Sequence, residues 1–371
     1  MADTKVQVTE DLAAIKYFAQ NNDRMLLNQL IFALPFANDP TIRKIMQLRS
    51  PMNLPKYSAA DGWRPLDENI ENPLGDQGAF SKRVITPRTA MKILKIRPQQ
   101  FKQTFFADQV APNAKEIPGG FAGYFWLAQT QQGATEITKN SFLGVDPDSI
   151  AAFSAVSTYD AGDRVTFVKD AAVGEQYWEC IAGSTTTAGD SPSTEPSKWK
   201  SIDNQCMAKG LGTIIKEEYA GLDATQKIAT GALTSSNAYE SIKTMYRSID
   251  DSLKDGDKFY AYCSISSGEK FLDDVDNKYY KGVVTEEATK LVVRGTNGNC
   301  IVKPVAWMGS HPGVIMTKAN NLTFGTDIMP NFTSIGKMVE DLHGYKTIQK
   351  ATLAFQIADT EILYLNDQGW S

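Results

Sequence analysis

Residues 61–103 carry their charge in two separate blocks, and this segregation constrains the fold more than any other feature of the sequence. Between Asp61 and Asp76, the carboxylates of Asp61, Asp67, Glu68, Glu71 and Asp76 stand against Arg64 alone, a net of −4. The run that follows holds Lys82, Arg83, Arg88, Lys92, Lys95, Arg97 and Lys102, a net of +7 with no acid between Ala79 and Ala107. Asn72-Pro73-Leu74-Gly75-Asp76-Gln77-Gly78 separates the blocks with strong turn chemistry. Val84-Ile85-Thr86 and the stretch from Met91 to Arg97 supply strand formers, with a bulge or twist expected where Ile93 and Leu94 interrupt the alternation. The expected element is a long hairpin with oppositely charged arms, too polar for a core and therefore projecting. The basic arm lacks the interleaved aromatics of a nucleic-acid stacking platform. It is open to three readings: contact with nucleic acid, docking onto acidic surface of a neighbouring copy, or a solvated face. The acidic block in the same chain offers the second a self-complementary partner.

The remaining periodicities alternate between helix and strand. Residues 10–34 read as an amphipathic helix ending at Pro35, and 36–60, broken by Pro40, Pro51 and Pro55, as a short helix and an extended arm. Residues 120–144 read as a helix whose Gly123 and Gly133 each cost about 1 kcal/mol against alanine, so packing must hold it. From about Ser157 to Ile202 the composition shifts to Thr, Ser, Gly, Asp and aromatics, with β-type runs at 164–168 and 176–181, which reads as a small all-β module inserted into a mixed chain. Tyr239, Ile242, Met245, Tyr246, Ile249 and Leu253 form one apolar helical stripe. A strand at 259–265 and a helix from Ser266, with Glu269 completing a capping box, follow. Strands are expected at 300–305, 313–316, 322–324, 347–357 and 361–365. The fold class is α+β.

Several function classes are disfavoured. With 371 residues, 42% hydrophobic and 22% charged, the chain has enough apolar material for one large domain or two smaller ones. A net charge of −5 gives no footprint of a dedicated nucleic-acid binder. The first ten residues lack the basic start and apolar run of a secretory signal, and 121–128 is far shorter than the roughly 20 residues of a membrane span, so no membrane partner is expected. Cys180, Cys206, Cys263 and Cys300 include no C-x-x-C pair, which favours synthesis in a reducing compartment. The two histidines are His311, in turn-forming Gly309-Ser310-His311-Pro312-Gly313, and His343, before Gly344 at an expected helix end; both read as structural. Asp273-Asp274-Val275-Asp276-Asn277 fails as a calcium loop at Lys278 and Tyr279 and reads as a solvated helix face. Gly119-Gly120-Phe121-Ala122-Gly123 is followed by no Gly-Lys-Ser/Thr, and no serine lies in a G-x-S-x-G elbow. No catalytic residue, metal site or cofactor is expected, and the chain does not read as an enzyme.

The order of segments resembles the tailed-bacteriophage major capsid protein of the Hong Kong 97 type. Val84-Ile85-Thr86-Pro87-Arg88 through Phe101-Lys102-Gln103-Thr104-Phe105 looks like the return strand of that family's E-loop. Phe121-Ala122-Gly123-Tyr124-Phe125-Trp126 to Phe142-Leu143-Gly144 looks like its spine helix. Ala229-Thr230-Gly231-Ala232-Leu233-Thr234-Ser235-Ser236-Asn237-Ala238 resembles a segment of capsid proteins from phages of Bacteroidetes, crAss-like phages included. Cys300-Ile301-Val302-Lys303-Pro304-Val305 and Asn320-Asn321-Leu322-Thr323-Phe324-Gly325-Thr326-Asp327 look like its late strands.

The resemblance implies an N-terminal arm over 1–60, an E-loop hairpin over 61–106, a spine helix and part of a peripheral domain over 107–156, the inserted module over 157–202, and an axial domain with return to the peripheral domain over 203–371. It implies a virion shell subunit, made in the bacterial host cytoplasm, that self-assembles into hexamers and pentamers of an icosahedral phage head around double-stranded DNA bound without sequence preference. Portal and scaffolding or cement proteins would be further partners. Lys82, Arg83, Arg88, Lys92, Lys95 and Arg97 are then the expected inter-subunit contacts.

Tyr159-Asp160-Ala161-Gly162-Asp163-Arg164-Val165, Gln176-Tyr177-Trp178-Glu179-Cys180, Pro192 and Trp199 resemble a small chitin-binding-type carbohydrate module, although Phe153 and Ala155 stand where that family usually has a tryptophan. Tyr177, Trp178 and Trp199 are the candidate sugar-stacking residues, for which a role as the sheet's own core is the competing reading. Surface glycans would be the insert's partner. Two other classes fit the composition: a secreted carbohydrate-active enzyme with a binding module, and another virion part such as a tail or baseplate protein.

Overall fold

The structure, a computed structural model, describes residues 34–58, 78–96, 119–181, 186–279, 290–327, 339–341 and 344–370. The first part of the chain gives helix α1 (Pro35–Asn38) and strands β1 (Arg43–Met46), β2 (Met52–Ser58), β3 (Ala79–Ile85) and β4 (Arg88–Ile96). Helix α2 (Gly119–Leu143), strands β5 (Arg164–Asp170), β6 (Gly174–Cys180) and β7 (Trp199–Ser201), and helix α3 (Leu211–Tyr219) follow. The last part holds β8 (Lys227–Ile228), α4 (Ala238–Arg247), β9 (Phe259–Ser264), α5 (Ile265–Tyr279), β10 (Cys300–Val305), β11 (Ile315–Lys318), β12 (Leu322–Thr326), β13 (Val339–Asp341), β14 (Gly344–Ile357) and β15 (Tyr364–Asn366). The expected helix at 10–34 apart from Leu34, the turn at 72–78 apart from Gly78, and His343 lie outside the described residues.

The first sheet is built on β14. Along one edge β14 pairs antiparallel with β4, from Tyr345 opposite Ile96 to Leu353 opposite Arg88. Along the other it pairs with β13 and then β12, and β1 adds a parallel strand to β12. Side chains alternate across a strand, so Leu353, Phe355 and Ile357 share a face. There they join Leu322 and Phe324, Ala134, Ile137 and Phe142 of α2, Leu211, Ile214 and Ile215 of α3, and Trp307 in the main core. Phe36 of α1 reaches the same core, its ring 5.6 Å from Phe324 and 5.8 Å from Phe355. On the opposite face Ala354 packs with Leu48, Leu54 and Ile85.

The second sheet has the order β10-β9-β11-β15-β8. Tyr239, Ile242, Met245 and Tyr246 of α4 and Phe271 and Val275 of α5 pack with Phe259, Ala261, Cys263, Val302 and Met316. The apolar stripe read from the sequence is thus a buried face, but its helix ends at Arg247. Asp250 then starts a separate short turn by accepting from the Ser252 amide at 2.8 Å. Helix α5 starts one residue before the expected capping box, with the Ser264 hydroxyl accepting from the Ser267 amide at 3.3 Å. The Asp273–Asn277 run is not a purely solvated face either. Asp274 is buried, accepts from the Tyr239 amide at 2.8 Å and from Lys278 Nζ at 3.0 Å, and so ties the start of α4 to α5.

Residues 151–202 form a separate small sheet of order β5-β6-β7. Its structured part begins before the shift in composition at Ser157: the Thr166 amide donates to Ala151 and the Phe153 amide to Thr166, both at 2.9 Å. The ring of Phe153 stacks on Tyr159 at 5.5 Å and meets Phe167 and Trp199 edge-on. The module has its own core, of Val165, Trp178, Cys180 and Trp199. Replacing residues 151–201 by a short Gly-Ser bridge is therefore expected to leave the two main sheets folded. Circular dichroism and calorimetry check this: one cooperative transition within a few degrees of the parent is expected, and aggregation or loss of the transition would show the module to be part of the main core.

Candidate functional site

A polar arm and an inserted module were the two features singled out in the sequence, and the structure gives each a defined root. The arm is the β2–β3 hairpin, from Met52 opposite Ile85 to Ser58 opposite Ala79. The partner of the basic strand is thus 52–58, while the acidic block 61–76 lies outside the described residues. The basic run does not stay in the arm. After Thr86 and Pro87 the chain enters β4 and the first sheet, in unbroken register through Ile93 and Leu94, so the expected bulge is absent there.

The six basic residues expected at a subunit interface separate accordingly. Arg83 Nη2 donates to Glu218 Oε1 of α3 at 2.7 Å and to Gln356 Oε1 at 3.2 Å. Arg88 pairs with Asp146 and Asp148. Lys92 has its ammonium buried 3.7 Å from Glu136 of α2, with no hydrogen bond. These three cations fasten the arm's root to the body, because their strands lie against acids of the same chain. Lys82, opposite Pro55, and Lys95, opposite Lys346, lie on exposed faces. Arg97 lies outside the described residues.

One face of the hairpin is exposed along its whole length. It carries the cross-strand pairs Asn53/Val84, Pro55/Lys82 and Tyr57/Phe80. The rings of Tyr57 and Phe80 are 4.8 Å apart, and Phe80 is 78% exposed. The other face buries Leu54 and Ile85 at the root. A second exposed apolar group lies on the outer face of the first sheet, where Ile93 and Ile348 are directly opposed and Met91 lies opposite Lys350. Sequence reasoning missed both apolar surfaces because charge dominates the segment. The alternation of Phe80, Lys82 and Val84 was the available signal.

The module joins the body where two chain segments cross. The Val145 amide donates to the Gln205 carbonyl at 2.9 Å and the Gly210 amide to the Gly144 carbonyl at 2.9 Å. Asn140 of α2 bridges the crossing, donating from Nδ2 to Gln205 O at 2.8 Å and accepting at Oδ1 from the Ala208 amide at 3.2 Å. A Cβ on Gly144 would fall 2.1 Å from Ala208 O, and one on Gly210 would fall 2.5 Å from Phe142 O, so the approach requires glycine at both positions.

Two of the three candidate sugar-stacking residues lie in the core of the module. Trp178 is 7% and Trp199 3% exposed, and both belong to the module's core. The Trp199 indole donates to Asp190 O at 3.0 Å. Lys169 Nζ lies 5.1 Å from the Trp178 ring centroid. Tyr177 points to the other side of β6 and packs at the junction with Val145, Ile202 and Cys206. So small a sheet needs its aromatics to fold, and that need decides their place here. Among the described residues no group of three or more His, Cys, Asp or Glu is placed to hold a metal ion. Burial pushes the thiols of Cys206, Cys263 and Cys300 up to about 12, and Cys180 is also raised, so none of these thiols is activated as a nucleophile. No described helix is long and apolar enough to cross a membrane.

No protein-family model matches the sequence, and no curated protein matches it. Solved structures are similar in shape. One is from "Satellite phage P4 procapsid including size determination (Sid) protein", 13% identical, covering 93% of this chain and 90% of that one at a TM-score of 0.49. "Capsid of native GTA particle" gives 9% identity, 88% and 87% coverage and 0.48. A virus-like particle from Pyrococcus furiosus gives 9%, 95% and 99%, and 0.43. A likeness of this depth assigns neither activity nor partner to the chain.

The two kinds of cation in the basic run differ in what they hold. Lys92→Glu puts a carboxylate beside Glu136 at a half-buried position and is expected to cost about 1–2 kcal/mol of subunit stability, whereas Lys82→Glu, on the exposed face, should stay within about 0.5 kcal/mol. Chemical denaturation of both variants measures the difference; equal losses would contradict the assignment of Lys92 to the root.

Proposed function

We propose that this chain is the shell subunit of a tailed-phage head, built on the Hong Kong 97 plan, and that it works by self-assembly and catalyses no reaction. The observation that carries this reading is the exposed strip Asn53/Val84, Pro55/Lys82, Tyr57/Phe80 on a hairpin whose root is bonded into the body. A two-stranded hairpin with an uncovered apolar face is marginal in water. Seven residues per strand give a strip about 23 Å long at 3.3 Å per residue, held to the body by Leu54, Ile85 and Lys56 on its other face and so presented in a fixed position to an adjacent molecule. The occupant that fits the strip is a second copy of the chain, since the exposed Met91, Ile93 and Ile348 offer the same molecule an apolar face on its body. A contact between two different patches of one chain is heterologous, the interface type from which rings such as hexamers and pentamers are built when the rotation between copies closes.

The acidic block 61–76 adds charge complementary to Lys82 and Lys350, with double-stranded DNA held inside by weak, salt-dependent contacts. Portal and scaffolding or cement proteins are the expected further partners, and the virion the expected location. The module, rooted at the Gly144–Gly210 crossing, serves in this reading as an appended outer domain. Its buried tryptophans argue against a glycan platform and hence against a carbohydrate-active enzyme.

The test is the double variant Tyr57→Ser/Phe80→Ser. Docking would bury the exposed surface of each aromatic, a gain of about 1.5–3 kcal/mol per ring at every contact. Loss of the ring pair costs the free subunit about 1 kcal/mol. Sedimentation velocity is expected to show the parent in large assemblies and the variant as folded subunits. Assembly of the variant at the parental concentration would overturn the role of the strip.

A further inference from the structure

The His311 imidazole occupies a corner closed by two aromatic side chains. The end of α2 contributes Phe142, whose ring meets His311 edge-on at 5.0 Å. Trp370 lies 4.4 Å from it, and Phe142 and Trp370 meet each other at 6.2 Å. Both ring nitrogens are committed. The Gly313 amide donates to Nδ1 at 3.0 Å, so Nδ1 is an acceptor; Nε2 then carries the hydrogen and donates to the Gly369 carbonyl at 3.0 Å. The neutral Nε2–H tautomer is the form that satisfies both partners.

The same turn holds the rest of the segment that ends at Trp370. Asn366 is fully buried, and its Oδ1 accepts from the Val314 amide at 2.8 Å and from the Trp370 indole at 3.2 Å. Residues 366–370 are thus folded back over residues 311–314, with the 1% exposed Trp370 as the plug against Phe142. The charged side chain acting on the imidazole is Lys216 of α3, which repels a further proton. The α2 side of the corner presents Phe142, and the 366–370 side presents the Gly369 carbonyl and Trp370.

We propose that His311 is an acid-sensitive latch for the 366–370 segment. A proton added at Nδ1 places N–H against the N–H of Gly313, two donors with no acceptor between them, and leaves a cation in a largely buried corner. The ring must turn out to water, and Gly369 and Trp370 lose their hold on the end of α2. The latch lies within one subunit and operates whether or not the chain assembles. Burial holds His311 below its ordinary value of 6.5, against a smaller opposing effect of the Gly369 hydrogen bond. The open form takes up a proton with ordinary affinity and the closed form resists it. The closed latch therefore has its full stability above pH 6.5 and loses it as the pH falls below that value.

Between about pH 5 and pH 8 histidine is the side chain whose ordinary pKa brings a change of charge. With two histidines in the chain, the effect can be assigned. Hydrogen–deuterium exchange of 366–370, corrected for intrinsic rates, should show loss of protection between about pH 7.5 and about pH 5.5 in the parent. In His311→Gln, which cannot titrate, the protection should not change with pH. Equal protection of the parent at both values, or acid opening that persists in a folded His311→Gln variant, would overturn the latch. Should that variant fail to fold, the parent's histidine NMR titration decides, with His343→Gln assigning the two signals. A His311 midpoint below 6.5 supports the latch, and one at or above that value overturns it.

Discussion

Nine paired residues between β4 and β14 are the constraint on which the remaining architecture depends. The pairing fixes the strand that leaves the hairpin against the strand that organises the first sheet. Its consequences run in both directions. Toward the core it orients Leu353 and Phe355 onto α2 and α3, and it brings Lys92 beside Glu136. Toward solvent it sets Ala354 under Leu54 and Ile85, which gives the hairpin a seat. A polar two-stranded arm could not hold a direction by itself; anchored at Arg83, Arg88 and Ile85, it can. The strip of Tyr57, Phe80 and Val84 is then presented as a surface fixed to the body.

The module is accommodated by a different device. Its two ends cross at Gly144 and Gly210 under the side chain of Asn140, so α2 and α3 are joined almost as if residues 146–204 were not present. The module keeps its own aromatic core, and among the described residues it meets the body through Tyr177, Ile150, Ile202 and the Arg88 pairs with Asp146 and Asp148. An insertion of this kind can vary without disturbing the sheets that carry the arm, because few buried contacts depend on it.

Much of this was legible in the sequence where a strong period or a composition change reports on local structure. The α4 stripe, the strand Cys300–Val305 and the 25-residue helix Gly119–Leu143 were read within a residue or two, except that Asp250 ends the stripe early. What the sequence hid is decided by tertiary pairing. The basic run looked like one arm, yet Arg83, Arg88 and Lys92 each meet an acid from a distant segment, and no local pattern announces Glu218 or Glu136. Trp178 and Trp199 were candidates for a sugar face with the sheet's own core as the competing reading, and burial is a property of the folded sheet that spacing does not encode. His311 read as a residue of a turn; its partners Phe142 and Trp370 lie far along the chain on either side.

Self-assembly through the exposed strip of a body-anchored hairpin is the proposal on which the function rests. Electron microscopy of the purified, unmodified protein at increasing concentration tests it most directly. The account predicts closed shells, or the five- and six-membered rings from which they are built. A discrete monomer at all concentrations would contradict it.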